Sequence, residues 1–524
     1  MKDMNRQHKV LVICKETYSY PMMFAIKDLI SRGYDVEVLY IHSTEVILKD
    51  PSYTHVVSNL AEIKVHTFVD EFDTFILNRL NVKKYIDMEY LQLIEEKYCE
   101  DINLSLLQVS AQIFTTPYHY RFFFRDMTEN ERLYWIQLIF KKIEKIVKKI
   151  NFDSVFDIDI AEFGRSALHQ VTKKHGIPYV TIEHSRYNNY LLPTFNLGRR
   201  TDDYFIQKYK DNYLSDEVDD YIKLVDEFNF QDSLMLDSYK SNNTSKVKAR
   251  PLYKDIRKLG GMLKYLSTTL VSWYPYRHAP PFGNPIKAML FFVKNLFKER
   301  YLLGKRNQVF ANIEPGEEYV YFPLHLIPES TTLNKSPFYP NEIAVIEAVS
   351  KSLPVGWLLY VKEHGAMIGE RPLHFYRSIN RLSNVKLVRL DAYHDPKPWI
   401  LKSKGVITLS GTSAFEASMC NKPSIIFGNA FYDVMSNVIK VSSFEELPKK
   451  IRNFENYKFQ DKKSQASYLK TIIENGKKIN ILSLLIDSEN VAKNGGKLTK
   501  ENQVNITYLV DLFVGSFHLN DHIN

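Results

Sequence analysis

This sequence has few cysteines, no long hydrophobic run and none of the common nucleotide or protease motifs. Its cysteines, Cys14, Cys99 and Cys420, are far apart, which excludes a CxxC redox pair or a zinc-binding cysteine cluster. No apolar stretch reaches the ~18 residues needed to cross a bilayer. The patterns GxxxxGK(S/T), HExxH and GxSxG do not occur, nor does GxGxxG after the first strand. ATP hydrolysis, zinc proteolysis, α/β-hydrolase chemistry and dinucleotide redox chemistry therefore have no support.

The length and the N-terminus set the broad class. A chain of 524 residues is too long for one ordinary core, so we expect two domains. The opening MKDMNRQHKVLVI passes from charged residues directly into a strand-like run, without the apolar segment and cleavage site of a signal peptide. We therefore expect a cytoplasmic protein.

One segment makes the protein basic. The formal net charge is +8, and the stretch from Lys246 to Arg306 contains fourteen Lys or Arg against two acids. Within it, two basic amphipathic helices are predicted on either side of the proline-rich YPYRHAPPFGNP. Binding to an anionic membrane surface, on the inner face of the plasma membrane, is one interpretation, and a solvated charged face is the other. Nucleic-acid binding is not expected, because no RNA-binding motif accompanies the charges.

Hydrophobic patterning predicts an α/β fold with two Rossmann-like domains that face a cleft. The runs KVLVICK and YDVEVLYI are typical of strands around a helix closed by Gly33, and the pattern resumes at SVFDIDI and IPYVTIEH. Between them, apolar residues at helical spacing predict a helical insertion over about 68–150. We predict a first domain over 1–215, a basic, partly helical connector over 216–312, a second Rossmann-like domain over 313–455, and a helical tail over 456–524 that packs partly on the first domain.

Polar residues follow the strands of the second domain, where ligands of open α/β sheets bind. The stretch SGTSAFE places Ser410, Gly411, Thr412 and Ser413 at a predicted helix start. Ser413 and Glu416 have the spacing of a capping box, which would need no further function. Three hydroxyls around a glycine at a helix N-terminus also suit a phosphate, and Glu416 could reach ribose hydroxyls. The two roles are compatible.

Two histidines and a lysine lie at neighbouring strand ends. The stretch VKEHG puts Lys362 and His364 on one side of a strand, where they could assist the departure of a nucleotide leaving group. His325 ends the first strand of this domain and either faces the cleft or belongs to a rigid connector. In the loop DAYHDP, Asp395 is expected to cap the next helix, and base recognition by the loop backbone is the lesser alternative.

The first domain offers acids for the other side of the cleft. Asp157 and Asp159 lie in the run SVFDIDI, Glu162 follows it, and Glu183 and His184 end the run IPYVTIEH. Because acids are costly to bury without partners, we expect them at strand ends. A catalytic base or nucleophile would come from this set, although capping or hydrogen bonding is the commoner role of any single member.

Four stretches resemble a known family, the bacterial capsular polysaccharide biosynthesis proteins, which include β-Kdo transferases. They are VYFPLHLIPES, VKEH, GVITLSGTSAFEASMCNKPSIIFGNAFY and YVTIEHSRYNNYLLP. The first three span about Tyr319 to Tyr432, in the order and spacing of that family. The resemblance implies a GT-B glycosyltransferase with the donor nucleotide on the C-terminal domain, the acceptor on the N-terminal domain, and no metal or cofactor.

The resemblance also assigns positions. The family's histidine motif falls on His364, and its phosphate motif falls on Ser410, Thr412 and Ser413. Two positions differ from the family, because Gly365 follows the histidine in place of proline and Ser185 takes the place of a glycine. A CMP-linked sugar is one candidate donor that the resemblance implies.

We therefore predict the transfer of a sugar from a nucleotide-sugar donor to a surface or capsular polysaccharide, or to its lipid-linked precursor. A polyol-phosphate transferase and a nucleotide-sugar epimerase are alternatives with the same fold. A noncatalytic polysaccharide-assembly subunit is the alternative from another class. The residues leave the donor, the acceptor and the stereochemical outcome open.

Overall fold

Two sheets form the framework of the molecule. The computed structural model describes residues 7–42, 51–111, 120–121, 126–229, 252–279, 283–304, 309–389, 396–457 and 462–522. The first sheet contains β1 (Lys9–Cys14), β2 (Asp35–Tyr40), β3 (Val65–Thr67), β4 (Ser154–Asp157), β5 (Tyr179–His184), β6 (Tyr190–Thr194) and β13 (Lys477–Lys478). Their order is β13-β6-β5-β4-β1-β2-β3. Strands β1 to β5 are parallel, β6 is antiparallel to β5, and the edge strand β13 is antiparallel to β6.

The second sheet is entirely parallel. It contains β7 (Glu318–Pro323), β8 (Trp357–Lys362), β9 (Val385–Leu387), β10 (Gly405–Thr408), β11 (Ser424–Ile426) and β12 (Val438–Lys440), in the order β12-β11-β10-β7-β8-β9. If β7 is counted as strand 1 and the order is read from β9, the sheet has the 3-2-1-4-5-6 order of a Rossmann fold. In the first sheet, β1 to β5 have the corresponding 3-2-1-4-5 order. The predicted fold class, α/β with two Rossmann-like units, is confirmed.

Helices cover both sheets. Those of the first half are α1 (Ser19–Ser31), α2 (Pro51–Asn59), α3 (Val69–Asn78), α4 (Met88–Tyr98), α5 (Leu104–Leu107), α6 (Glu129–Ile150), α7 (Phe163–Lys174), α8 (Asp203–Leu214) and α9 (Asp219–Asp226). The connector contributes α10 (Leu252–Trp273) and α11 (Pro285–Leu303). The rest are α12 (Ser330–Lys335), α13 (Glu342–Ser352), α14 (Leu373–Ile379), α15 (Lys397–Lys402), α16 (Thr412–Met419), α17 (Leu447–Arg452), α18 (Lys463–Asn475), α19 (Ile481–Asn494) and α20 (Lys500–Gly515).

The strands that read as continuous apolar runs are buried on both faces, as parallel strands covered by helices require. Gly33 follows α1 with a φ of +91°, which explains why the predicted helix ends there.

The predicted helical insertion lies between β3 and β4 and includes α3 to α6. Its longest helix, α6, begins with a complete capping box in which Thr128 and Glu131 each bind the other's backbone N–H.

The tail packs on the first domain, as predicted. Tyr468 of α18 donates a hydrogen bond to the Ser185 carbonyl at 2.5 Å, and Asn212 of α8 donates one to Thr471 at 3.0 Å. Further along, α20 places Phe513 against Phe156 of β4, with ring centroids 4.3 Å apart. The core of the first domain is therefore completed by residues of the tail.

The predicted basic helices are α10 and α11, which pack on each other. Residues 246–251, 280–282 and 305–306 of the basic segment lie outside the described part of the chain. Within the described residues, no helix is both long enough and apolar enough to span a bilayer.

Candidate functional site

The switch point of the second sheet lies between β7 and β10, where the strand order reverses. His325 follows β7, and its Nε2 lies 2.7 Å from the Thr408 hydroxyl at the end of β10. The other ring nitrogen, Nδ1, lies 3.1 Å from a Glu342 carboxylate oxygen and must donate to it. Nε2 therefore accepts hydrogen bonds from the Thr408 hydroxyl and from the Leu409 N–H at 3.3 Å. The site is built at the place where ligands of open α/β sheets bind.

A buried chain of charges holds His325 in this position. Arg371, 0 % exposed, lies 2.7 Å from Glu342 and 3.1 Å from Glu363, and donates to the His325 carbonyl at 2.5 Å. Burial raises the pKa of Glu342, but Arg371 and His325 outweigh it and leave the pKa below the usual range. Burial also raises the pKa of Glu363, and there Arg371 offsets it only in part. One ionised arginine therefore organises two strand-end loops.

The capping box predicted for Ser413 and Glu416 is wrong. The N-cap of α16 is Gly411, and no side chain caps this helix. Ser413 lies inside the first turn, 9 % exposed, and its buried hydroxyl has no hydrogen-bond partner among the described residues. The helix begins two residues earlier than predicted, because the Gly411 N–H is already held by the Thr408 hydroxyl at 3.2 Å.

Three polar side chains lie so close to Gly411 that a larger residue would not fit there. A Cβ added to this glycine would lie 2.6 Å from Thr408 Oγ1, 3.2 Å from His325 Nε2 and 3.6 Å from Ser413 Oγ. Tyr432 fixes the turn from the other side by donating a hydrogen bond to the Gly411 carbonyl at 2.7 Å. Because Thr408 donates to His325 Nε2, the Ser413 hydroxyl is the one of the three that is left to donate at the N-terminus of α16, where the helix dipole favours an anion. We call this place the anion cradle.

Other predicted members of the phosphate site differ in exposure. Ser410 is buried and Thr412 is half-buried beside the cradle. Glu416 is 3 % exposed, so the ribose contact predicted for it would require that side chain to be uncovered. Residues 390–395, which include the predicted cap Asp395, lie outside the described chain.

His364 and Lys362 lie one strand further along the same edge, after β8. Because β7 separates β8 from β10, these loops are roughly 10 Å apart at the strand spacing of parallel sheets. His364 Nδ1 accepts a hydrogen bond from the Ala366 N–H at 3.2 Å, so its neutral ring carries the proton on Nε2. The Lys362 ammonium lies 5.5 Å from the centre of the Trp399 ring.

The predicted acids of the first domain all have cationic partners. Asp159 accepts from Arg165 at 2.9 Å, and the same guanidinium binds the fully buried Asp157 at 2.6 Å. Glu162, whose φ is +111°, pairs with Lys15 at 2.6 Å next to the switch point between β1 and β4. Asp159 and Glu162 keep 23 % and 29 % of their side chains exposed, which leaves them accessible from the cleft.

Glu183 lies at the domain boundary. Its carboxylate forms an ion pair with Lys335 of α12, whose side chain is almost fully buried. The two residues line a small pocket together with residues of both domains, including Arg200, Thr201 and Asn429. Glu183 is therefore part of the contact between the domains, a role that the sequence pattern did not indicate.

Sequence reasoning missed two charged groups from different domains that interact electrostatically. Arg186 of the first domain has a φ of +75° in the turn after β5, and its backbone N–H donates to His184 Nδ1 at 2.8 Å. Burial raises the pKa of Glu329 in the second domain, while Arg186 acts in the opposite direction. Both residues stand in stretches that carry the family resemblance, but no local pattern pairs them.

Comparisons with known proteins retrieved structures only. No family model matches the chain, and no curated protein matches it. Among the structures is the β-Kdo 2,7-transferase KpsC of Thermosulfurimonas dismutans, with 10% identity over 71% of this chain and 89% of that chain, at a TM-score of 0.29. The UDP-GlcNAc 2-epimerase of Methanocaldococcus jannaschii shows 11% identity over 89% of this chain and 99% of that chain, at 0.27.

A glycosyltransferase from Rickettsia africae shows 10% identity over 94% of this chain and 100% of that chain, at a TM-score of 0.27. The described residues contain no group of three His, Cys, Asp or Glu side chains that could hold a metal ion. The structures that this chain is similar to thus include β-Kdo transferases, UDP-GlcNAc 2-epimerases and a glycosyltransferase.

Proposed function

We propose that this protein transfers a sugar from a nucleotide-sugar donor to a surface polysaccharide or its lipid-linked precursor. The observation that carries the proposal is the anion cradle, because the unpartnered Ser413 hydroxyl lies at a helix N-terminus on the switch point, in a turn that Thr408 and His325 hold in place. A phosphate group of the donor supplies the acceptor oxygens and negative charge that this arrangement suits.

In the proposed reaction, the bond between the anomeric carbon and the donor phosphate breaks, and the phosphate leaves with the electron pair. Hydrogen bonds from the first turn of α16 stabilise the developing charge, and His364 Nε2–H donates to a phosphate oxygen. Lys362 adds positive charge at the same edge. A new bond forms between the anomeric carbon and an acceptor hydroxyl, and the hydroxyl proton is taken up by a carboxylate.

Asp159 is the carboxylate that we propose for the acceptor side. It is held by Arg165, remains partly exposed, and acts electrostatically on Glu329 across the cleft. Direct proton removal and covalent capture of the sugar would both use this group. Neither scheme uses a metal or cofactor, so turnover is expected to persist in EDTA.

The Ser413→Ala variant tests the cradle. We expect one of CMP, CDP, UDP or GDP to raise the melting temperature of the wild type. Because Ser413 has no partner among the described residues, Ser413→Ala should leave the melting temperature of the free protein unchanged. It should weaken nucleotide binding by about 10- to 100-fold, since hydrogen bonds to charged groups contribute ~1.5–3 kcal/mol.

Ser378→Ala is the matched control, because the Ser378 hydroxyl is exposed on α14 and donates only to the His374 carbonyl at 3.0 Å. It should bind nucleotide as the wild type does. The proposal fails if no nucleotide stabilises the protein or if Ser413→Ala binds normally. Conversion of a nucleotide sugar to its epimer without an acceptor would show the alternative reaction instead.

A further inference from the structure

The connector helices carry an unusual amount of exposed apolar surface. We call α10 and α11, with the turn between them, the basic hairpin, described over 252–279 and 283–304. Ten of the 24 large hydrophobic side chains that are exposed in the described chain lie in it. They are Leu259, Leu263, Tyr265, Val271, Tyr274, Ile286, Leu290, Phe292, Phe297 and Tyr301. A soluble surface seldom concentrates apolar residues in this way unless it binds something.

These side chains form stripes along the helices. On α11, Ile286, Leu290, Phe297 and Tyr301 recur at intervals that place them on one helical face. On α10 and the following turn, Leu259, Leu263, Val271 and Tyr274 recur in the same manner. Phe297 is 71 % exposed and Val271 is 80 % exposed, so the stripes are uncovered by the described chain.

The opposite face of the hairpin is anchored to both domains. On α11, Leu302 enters the core of the second domain, and the Lys298 ammonium donates to the carbonyls of Glu370 and Arg371 at 3.2 and 3.3 Å. At the turn, Trp273 and Ala279 pack on the core that holds the helical insertion of the first domain. The stripes are therefore presented outward on a fixed base.

The charge of the hairpin favours one kind of partner. Its described residues include nine Lys or Arg and two acids, a net charge of +7. Exposed cations, including Arg257, Lys264, Lys287 and Lys294, lie among the apolar stripes. A second copy of this chain would bring two such charges together, whereas an anionic lipid surface complements the cations and accepts the apolar side chains.

We propose that the basic hairpin is an amphipathic membrane-binding element, which inserts its apolar stripes into the interface of an anionic bilayer. Cations attract the element to the surface, and Leu290 and Phe297 then enter the boundary between headgroups and acyl chains. The surface would therefore lie beside both domains. This step rests on the proposed function. An enzyme held at the membrane surface meets acceptors there, so the acceptor is a lipid-linked glycan rather than a free one.

Vesicle sedimentation of the full chain tests the element. The wild type should sediment with vesicles of phosphatidylglycerol and phosphatidylcholine and only weakly with phosphatidylcholine alone. High salt should reduce this binding without abolishing it, because inserted apolar side chains are not screened. Leu290→Ser with Phe297→Ser should reduce binding at least tenfold at low salt, and Lys287→Glu with Lys294→Glu should remove the preference for anionic vesicles.

Phe338→Ser with Val355→Ser is the matched control, because these side chains belong to the second domain and are at least as exposed as Leu290 and Phe297. It should bind vesicles like the wild type, and all variants should keep the wild-type melting temperature. The inference is overturned if the wild type does not bind, if the control loses as much binding, or if the Leu290 and Phe297 variant instead converts a dimer to a monomer. Nucleotide binding is measured in a separate experiment. A failure to bind nucleotide would contradict the proposed function and would leave the membrane-binding element unaffected.

Discussion

Asp159 and Glu183 are both acids near strand ends, but the structure gives them different surroundings. Asp159 shares Arg165 with Asp157 and stays partly exposed, whereas Glu183 is tied to the buried Lys335. Asp159→Asn should therefore lower turnover by roughly 10²- to 10⁴-fold, the usual contribution of a general base, with unchanged nucleotide affinity. Steady-state kinetics and nucleotide titration measure the two effects.

Glu183→Gln is the comparison for Asp159→Asn, because it should lower the melting temperature by leaving the buried Lys335 ammonium without its ion pair. Glu162→Gln tests the third acid of the set. If Asp159→Asn keeps full turnover while either of the other variants loses it at an unchanged melting temperature, the carboxylate role belongs to that residue.

His169 of α7 makes the first domain sensitive to acid. Burial lowers the pKa of His169 from 6.5 to about 4, and its Nε2 donates to the Phe195 carbonyl at 2.7 Å. As the pH falls from 6.5 towards 4, the unfolded chain takes up a proton that the folded protein does not. The free energy of unfolding should therefore fall by about 1.4 kcal/mol per pH unit from this group alone.

His169→Gln should reduce that loss, because the amide can still donate to Phe195 but takes up no proton. Thermal unfolding at neutral pH and at about pH 5 should show a smaller decrease in melting temperature for the variant than for the wild type. An identical decrease would mean that other groups determine the acid sensitivity.

At the scale of elements, the long strands and the helices between them could be predicted from sequence, because parallel strands such as β1 and β10 are continuous apolar runs. The two connector helices and the tail were predicted for the same kind of reason, a helical period. The short strands β3, β12 and β13 were not, since two or three residues carry no period, and their pairing depends on distant partners.

The candidate site was predicted only in outline. His325 and the SGTS turn could be placed at one sheet edge by topology, but the capping box was assigned to Ser413 from spacing alone. The helix starts earlier because Thr408, on the preceding strand, holds the Gly411 N–H. The roles of Glu183 and Arg371 depend on Lys335 and Glu342, which lie far away in the sequence, so no local pattern could reveal them.

At the scale of the whole molecule, the two cores depend differently on the rest of the chain. The main core of the second domain is formed by residues between 302 and 454. The first domain takes Tyr468, Leu469, Leu509 and Phe513 of the tail into its core. A fragment of residues 283–457, which keeps this core whole, should therefore unfold cooperatively, whereas a fragment of residues 1–229 should not.

Thermal denaturation followed by near-ultraviolet circular dichroism measures this difference, because fixed tertiary packing gives the signal that the shorter core would lack. Addition of a separate peptide of residues 462–522 should restore the transition of the first fragment. A cooperative transition of the 1–229 fragment without that peptide would contradict the dependence on the tail.

The return of α18 and α20 to the first sheet also orders events during synthesis. Residues 9–226 leave the ribosome early, but the side chains that close their core are translated more than two hundred positions later. The main core of the second domain can therefore acquire its packing first, while the first domain waits with an open apolar face. The first domain is translated before the second but would complete its packing after it. During that interval the first domain would be the part that depends on chaperones.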